Sequence, residues 1–287
     1  MQWKISRTYD KWLVRDYLLH VRAFSKRLLK DVKNDGAILL NGSPVNVRQR
    51  VSYGDFLIVN LPNESGSKYV EPEKMQLSII YEDEHYLLVN KPRGMAVSPN
   101  MNDEGGTLAN GLMYHFFQKG LPYTIHIVNR LDRYTSGVVL VAKHRLAHHL
   151  MQISEVDRLY LAIVQGTRLE KRGTIDEPIA RNLPSIIERK VSTEGKRAVT
   201  HYEVVEEKND YTLVRINLET GKTHQIRVHF SHIGYPLIGD DLYGGPIELL
   251  KGQALHCRSI RFFHPYHKQW ISGYASLPKE IKHIVEK

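Results

Sequence analysis

Apolar residues recur at spacings of three and four between residues 13 and 32, which is the periodicity of amphipathic helices. The series is Leu13, Tyr17, Val21, Phe24, Leu28 and Val32. Ser25 can cap a second helix within this run, and Gly36 follows its last turn. The pattern then changes to a strand at 37–40, a tight turn at Asn41-Gly42 and a strand at 55–59. These elements predict a small helix-helix-hairpin domain over residues 11–62.

The rest of the chain, residues 75–287, favours strands. Runs rich in β-branched and aromatic residues predict strands at 77–81, 86–90, 138–141, 160–165 and 211–218. One helix is predicted near 145–156, and the strands do not alternate regularly with helices. We therefore expect an α+β protein whose larger domain is a mixed, mainly antiparallel β-sheet. Residues 63–74 are polar, which is typical of a flexible linker between two domains.

The composition is that of a globular protein. Of the 287 residues, 42% are hydrophobic and 25% are charged, which allows a sizeable core and two domains. No apolar run approaches the roughly 18 residues of a membrane span, and the first residues lack a secretory signal. The single cysteine, Cys257, excludes an internal disulfide and a multi-cysteine zinc site, and we interpret it as a core residue. These features predict a cytoplasmic protein with no membrane partner.

The positive charge is concentrated near the N-terminus. The chain has a net charge of +9, and residues 11–59 contain nine Lys or Arg against four acids, an excess of five. Such an excess favours a polyanionic partner, with nucleic acid first and an anionic membrane surface second.

A single carboxylate, Asp132, lies between Arg130 and Arg133, just before a turn that leads to the strand at 138–141. A nearby cation lowers the pKa of a carboxyl group by about 1 to 3 units, so we expect this acid to be ionised. An ionised carboxylate is a poor proton donor but is available as a nucleophile or a base. The alternative is a structural acid that bonds the backbone of the following turn.

Two other groups of residues have the spacing of metal ligands. His144 and His148 stand four apart on the predicted helix, but no third ligand is evident. Asp240 and Asp241 are paired carboxylates that a metal-dependent nuclease or phosphoesterase could use together with histidines. We expect no metal at either group.

The second region resembles the RluA-type pseudouridine synthases in six segments that occur in order along it. These segments are 89–95, 130–137, 160–166, 220–229, 239–244 and 253–256. The first region resembles the small RNA-binding domain named after ribosomal protein S-four, in which Phe24-Ser25-Lys26-Arg27 opens the helix that meets RNA. The resemblance departs from the family pattern at Asn129 and Ser98, where the family usually has histidine.

The resemblance implies an RNA-modifying isomerase. In this reaction the uracil is detached from ribose carbon 1, rotated and rejoined through carbon 5. Asp132 would be the sole catalytic acid, attacking the ribose or the base or removing a ribose proton. Arg227 would pair with this aspartate, and Tyr160 would pack against the uracil and take the carbon 5 proton. No atoms are gained or lost, so the resemblance implies no metal, nucleotide or redox cofactor, and no glycine-rich phosphate loop is present.

The resemblance also implies how RNA is held. A stacked uridine must be turned out of its helix before it can react, and Arg130 would occupy the vacated place. Lys222 and His224 would hold nearby phosphate. In the small domain, RNA would meet the basic helix residues Lys26, Arg27 and Lys30. Ribosomal RNA is the first expectation for the substrate and transfer RNA the second, with a monomeric enzyme. The alternative functions are an inactive RNA-binding protein and the metal-dependent nuclease.

Overall fold

The structure is a computed structural model that describes residues 1–62, 70–99, 105–121 and 124–286. Within these ranges the strands form a four-stranded sheet near the N-terminus, a ten-stranded sheet and a two-stranded hairpin. Helices pack beside the sheets, so the predicted α+β fold with a large, mainly antiparallel sheet is confirmed. No helix in the described ranges is both long and apolar enough to cross a bilayer.

The N-terminal sheet contains both predicted strands and the predicted turn. Its strands are β1 (Gln2–Lys4), β2 (Ala37–Leu40), β3 (Ser43–Pro44) and β4 (Phe56–Asn60), in the order β1-β4-β2-β3. Leu40 lies opposite Ser43 across the turn at Asn41-Gly42. The sequence pattern does not predict β1, because three residues are too few to show an alternation.

Two helical segments pack against this sheet. The first, α1 (Val14–Asp16), continues as a π-helical turn over Tyr17–Val21, and α2 spans Lys26–Asp35. Ser25 caps α2 as predicted, because its Oγ accepts a hydrogen bond from the Leu28 N–H at 3.1 Å. The apolar positions that recur along the sequence therefore form the buried face of two helical segments rather than of one long helix.

The large sheet and the hairpin occupy the second region. Their strands are β5 (Ser78–Glu82), β6 (Tyr86–Lys91), β7 (His126–Ile127), β8 (Ser136–Ala142), β9 (Val156–Gln165), β10 (Arg172–Asp176), β11 (Ile179–Arg181), β12 (Arg189–Val191), β13 (Val199–Lys208), β14 (Tyr211–Leu218), β15 (Leu255–His264) and β16 (Gln269–Tyr274). The sheet order is β10-β13-β14-β9-β15-β8-β6-β5, with β16 beside β15 and β7 beside β8, while β11 and β12 form the hairpin. Only the pair β8 and β15 is parallel among these described strands.

Four helices accompany the large sheet: α3 (Leu108–Gln118), α4 (Arg145–Gln152), α5 (Gln225–His232) and α6 (Lys279–Glu286). The helix predicted at 145–156 is present but ends earlier, because Val156 already belongs to β9. Helix α5 is missed by the sequence pattern. Its first six residues are all buried, so it has no exposed polar face that would make the helical period visible.

The two regions are in contact through α4. Leu146 of α4 is only 1% exposed and belongs to the hydrophobic core of the N-terminal region, and Leu150 packs beside it. Arg145 forms an ion pair with Asp31 of α2. The N-terminal region is therefore seated on the second region by an apolar contact with a charged pair at its side.

Part of the predicted linker is held in place. Residues 63–69 lie outside the described residues, but Glu71 and Glu73 are hydrogen-bonded to the start of α3. The Asn110 side chain donates to the Glu71 carbonyl at 2.8 Å, and the Glu73 N–H donates to the Asn110 carbonyl at 3.1 Å. Residues 71 and 73 of the predicted linker are therefore attached to the second region. The domain boundaries at 11–62, 63–74 and 75–287 stay a prediction.

Three adjacent strands bring together the segments that carry the candidate chemistry. In the middle of the sheet, where β8 and β15 begin, Ser136 of β8 lies opposite His256 of β15, and Cys257 of β15 lies opposite Tyr160 of β9. The strands approach closely at Gly137, where a Cβ atom would lie 2.1 Å from the Cys257 carbonyl oxygen. Glycine is required there because its φ of 109° and this contact both exclude a side chain.

Candidate active site

Asp132 lies in the loop that enters β8. Its carbonyl accepts the Thr135 N–H at 3.0 Å, which closes the turn before the strand. The buried Asn129 side chain fixes the loop to β8, because it donates to the Val138 carbonyl at 3.2 Å and accepts the Leu140 N–H at 2.7 Å. Asparagine thus holds the loop at the position where the resembling family has histidine. The Asp132 side chain is 32% exposed, so it is accessible from solvent.

Arg227, at the start of α5, connects Asp132 to a second carboxylate. Its Nη1 lies 3.0 Å from Asp132 Oδ2, while Nε and Nη2 donate to the two oxygens of Asp240 at 2.7 and 2.8 Å. The Asp240 side chain is fully buried and that of Arg227 is 8% exposed. Asp240 therefore anchors the guanidinium in a bidentate contact and leaves one edge for Asp132. In the sequence, Asp240 stood out only as a possible metal ligand beside Asp241, and the local pattern gives no sign of this anchoring function.

The two carboxylates, Asp240 and Asp132, keep Arg227 charged. Burial by itself would lower the pKa of the guanidinium, but its hydrogen bonds and charge interactions with Asp240 and Asp132 outweigh this effect and raise that pKa above its usual value. A permanent cation thus stands beside Asp132. In the described contacts this cation, and neither flanking arginine, is ion-paired with Asp132, and Arg133 directs its Nε to the Gly94 carbonyl at 3.1 Å.

His224 and Tyr243 form the next layer around the carboxylate. His224 Nε2 lies 3.7 Å from Asp132 Oδ2, and its Nδ1 lies 2.8 Å from the Tyr243 hydroxyl. The Tyr243 hydroxyl also accepts the Arg189 N–H at 3.0 Å, and its ring lies 4.9 Å from the Arg227 guanidinium. Burial lowers the pKa of His224, opposed by the charge of Asp132, so the neutral ring is favoured. Its side chain is 11% exposed and has little surface left for a phosphate.

Tyr160 of β9 lines the same pocket as Asp132. The residue is 5% exposed, and burial, followed by its interaction with Cys257, raises the pKa of its phenol well above the usual value. Cys257 is completely buried in the core, as predicted, and burial raises the pKa of its thiol to about 12. Tyr160 is therefore a protonated phenol at neutral pH, and Cys257 is not a nucleophile.

A groove leads to this pocket. The inner pocket, of about 60 Å³, is lined by residues that include Asp132, Tyr160 and Arg227. It adjoins a groove of about 710 Å³, whose walls also include Ser98, Arg130, Lys222 and His224. Arg130 is exposed and Lys222 is half-buried at this surface. All six predicted second-region site residues thus line the inner pocket, and all of them except Arg227 also line the larger groove, which is large enough for a nucleotide.

The remaining predicted contacts lie on α2. Lys26, Arg27 and Lys30 are exposed, and the two lysines line a separate groove of the N-terminal region together with Arg15 and Lys33. These residues do not line the groove around Asp132. They form a basic surface of their own.

The residues with metal-ligand spacing are engaged in other contacts. Both Asp240 oxygens accept from Arg227, as described above. His144 Nδ1 accepts the Ala147 N–H at the start of α4, and its Nε2 lies 3.0 Å from His85 Nδ1. His148 instead stacks on His126 with ring centroids 5.5 Å apart. His144 and His148 therefore do not converge on a common ion.

One further group, Asp83, His264 and His267, places three possible ligand atoms within 4.8 Å of one another in the described part of the chain. His264 Nδ1 accepts the N–H groups of Tyr266 and His267 at 3.2 and 2.9 Å. The proton of this ring is therefore on Nε2, which lies 2.7 Å from Asp83 Oδ2. A metal bound at Nε2 would break the hydrogen bond to Asp83 and move the ring proton to Nδ1, where it would face the two backbone N–H donors. The geometry therefore favours a structural cluster.

Comparisons with known proteins give a consistent result. The sequence model of a family described as RNA pseudouridylate synthase matches residues 85–232. The chain is 43% identical over 267 residues to an uncharacterized RNA pseudouridine synthase of Bacillus subtilis, YjbO, covering 91% of this chain and 94% of that protein. It is 34% identical over 283 residues to the ribosomal large subunit pseudouridine synthase D of Escherichia coli K12, covering 92% and 86% of the two chains.

Solved structures share the fold. The human RNA pseudouridylate synthase domain containing 1 protein superimposes with a TM-score of 0.56 at 25% identity, covering 76% of this chain and 96% of that one. The human RNA pseudouridylate synthase domain containing 4 protein superimposes with a TM-score of 0.58 at 23% identity, covering 73% of this chain and 92% of that one.

Proposed function

Because this chain belongs to the RNA pseudouridylate synthase family, and is thus an isomerase that converts uridine to pseudouridine, we propose that Asp132 is its sole catalytic acid. The observation that carries the proposal is the contact of Asp132 with Arg227 at 3.0 Å, in a groove large enough for a nucleotide. Arg227 cannot turn away easily, because Asp240 holds two of its nitrogens. The carboxylate is therefore held beside a fixed cation and faces a partly open pocket.

Asp132 can start the reaction in three ways: it attacks the ribose, attacks the base or removes a ribose proton. All three need an ionised carboxylate and no added cofactor. The fixed guanidinium stabilises the charge before the reaction, and the second oxygen of the carboxylate can reach the substrate while the first stays bonded to Arg227.

Tyr160 is proposed to pack its ring against the uracil. Its raised pKa disfavours a phenolate, so the hydroxyl oxygen is a weak base at neutral pH. This environment supports the packing role of Tyr160 more strongly than its role in removing the carbon 5 proton.

RNA is proposed to enter along the groove, with Arg130 in the place of the flipped uridine and Lys222 on nearby phosphate. Both side chains line the groove beside Asp132. His224, which lies between Asp132 and Tyr243, is assigned to positioning the carboxylate. Lys26, Arg27 and Lys30 on α2 are proposed to bind the RNA backbone further away.

The proposed substrate is ribosomal RNA of the large subunit, with transfer RNA as the second candidate. Support comes from the 34% identical Escherichia coli relative, which is a ribosomal large subunit pseudouridine synthase. The ribosomal substrate, the monomeric state and the cytoplasmic location of the enzyme stay predictions.

The proposal is tested by chemical mapping of pseudouridine in total RNA from a strain that lacks the gene. We expect one or more ribosomal sites to lose pseudouridine and to regain it when purified enzyme acts on in vitro transcribed large-subunit RNA. Loss of pseudouridine at transfer RNA positions instead would identify transfer RNA as the substrate. RNA binding without any pseudouridine formation would favour the inactive protein, and RNA cleavage abolished by a chelator would favour the nuclease.

A further inference from the structure

The hairpin of β11 and β12 exposes an apolar tip next to the catalytic groove. Leu183, Ile186 and Ile187 are 75%, 78% and 59% exposed at the end of the hairpin. Burying such side chains is favourable, so three of them exposed together at one tip are a candidate contact surface. We call residues 182–188 the hairpin tip.

The hairpin tip is held in shape by its own polar groups. The Arg189 guanidinium donates to the carbonyls of Ile186, Ile187 and Glu188 at 3.2, 2.8 and 2.8 Å. Asn182 bonds Glu188 through both backbone and side chain, at 3.1 and 2.9 Å. The apolar side chains are therefore presented on a preformed loop, which loses little conformational freedom when it binds.

The base of the hairpin is tied to the catalytic residues. The Arg189 N–H donates to the Tyr243 hydroxyl at 3.0 Å, and that hydroxyl lies 2.8 Å from His224 Nδ1. A groove of about 380 Å³ runs between the hairpin and the turn at 221–223, and the same turn lines the groove around Asp132. The hairpin therefore continues the wall of the catalytic groove.

The charge around the hairpin suits RNA. Between residues 179 and 197 the chain has five Lys or Arg against two Glu. Arg181 and Lys190 are exposed on the two strands of the stem. An apolar tip on a basic stem matches a nucleic acid strand, in which bases offer apolar faces between phosphates.

We propose that the hairpin tip inserts Leu183, Ile186 and Ile187 against bases of the substrate RNA beside the target uridine, while Arg181 and Lys190 contact phosphate. This inference rests on the proposed function and extends it. A flipped uridine leaves neighbouring bases unstacked, and apolar side chains at that point cover the exposed faces.

Photo-crosslinking tests the placement. Leu183 is replaced by p-benzoylphenylalanine in the full chain, and the protein is irradiated with in vitro transcribed large-subunit RNA. We expect crosslinks on nucleotides that flank the mapped pseudouridine. The matched control carries the same group at Val205, a 46% exposed residue of β13, and should give none there. If the wild-type enzyme forms pseudouridine in this transcript while Leu183 gives no crosslink near it, the inference is wrong and the proposed function stands.

A binding measurement tests the apolar contact itself. The double variant Leu183→Ser/Ile186→Ser should bind the transcript about 10-fold more weakly, because losing one stacked base contact already gives a change of this order. The slope of log affinity against log salt should stay unchanged, since apolar contacts release no counterions. Val205→Ser should bind as the wild type does, and equal thermal melting would exclude misfolding. Unchanged RNA affinity would overturn the inference, above all if the double variant lost self-association or binding to anionic vesicles instead.

Discussion

The guanidinium of Arg227 donates to both oxygens of the buried Asp240, at 2.7 and 2.8 Å, and only its remaining edge reaches Asp132 at 3.0 Å. The arginine is thus fixed by one carboxylate in order to hold another. The two acids have different environments: Asp240 is fully buried, whereas Asp132 is 32% exposed. The first therefore serves structure and the second is free to meet a substrate.

Removing the charge of Asp132 should abolish the reaction. We expect Asp132→Asn to lower pseudouridine formation by more than about 1000-fold, because none of the other described residues that line the groove is a carboxylate. RNA affinity should change little. The assay is chemical mapping of pseudouridine together with filter binding. Asp157→Asn, on an exposed acid of β9, should keep full activity, and appreciable turnover by the Asp132 variant would end the proposed mechanism.

Removing the anchor of Arg227 should cost both stability and activity. Asp240→Ala leaves a buried cation without its main partner, which lowers the free energy of unfolding by about 3–5 kcal/mol. The double variant Asp240→Ala/Arg227→Leu removes that cation as well and should recover part of the stability, but no activity. Denaturant unfolding and the pseudouridine assay measure the two effects. Equal stability of the single variant and the wild type would contradict the anchoring role.

The ring and the hydroxyl of Tyr160 can be separated by substitution. If packing against the uracil is its function, Tyr160→Phe should keep most of the activity and Tyr160→Ala should lose about 100-fold or more. A Phe variant as inactive as the Ala variant would show that the hydroxyl is needed, which would restore the role in removing the carbon 5 proton. Thermal melting of both variants controls for the loss of core packing.

The basic surface of α2 should control the salt dependence of RNA binding. Lys26→Gln/Lys30→Gln should reduce the slope of log affinity against log salt by about 1.4–1.8, because each phosphate contact contributes about 0.7–0.9. Lys279→Gln/Lys282→Gln on α6 removes the same charge elsewhere and should leave most of the slope. This test is preferable to deleting residues 1–62, because the deletion would uncover Leu146, which lies in the N-terminal core. If both double variants reduced the slope of log affinity against log salt by the same amount, that would argue against a specific role for α2.

Stability should fall as the pH falls from 7 to 5, with a measurable share from His85. Burial lowers the pKa of His85 to about 4, against about 6.5 in an unfolded chain. Between these values the unfolded chain binds a proton that the folded one does not, so stability present above pH 6.5 is lost on acidification. His85→Phe, which keeps the stacking on Tyr266, should reduce the loss between pH 7 and 5 by about 2 kcal/mol. An identical loss in the variant, measured by denaturant unfolding at both pH values, would contradict this.

The sequence by itself determined the elements whose pattern is local. The spacing of apolar residues predicts α2 and its Ser25 cap, and the β-branched runs predict β8 and β14, because these signals depend on which face of one element is buried. The ordered motifs also indicated Asp132, Tyr160 and Arg227 as a group, since the resemblance assigns all three to one reaction.

Tertiary structure decided which charges meet. Asp132 is flanked by Arg130 and Arg133 in the sequence, yet its partner is Arg227, 95 residues away. Asp240 anchors that arginine, although in the sequence it stood out only as a carboxylate paired with Asp241. Such contacts depend on the parallel pairing of β8 with β15 and on the docking of α5, where distant segments share one low-dielectric environment. Local pattern carries no information on that proximity, because a buried pair is selected by the whole packing and not by neighbours in the chain.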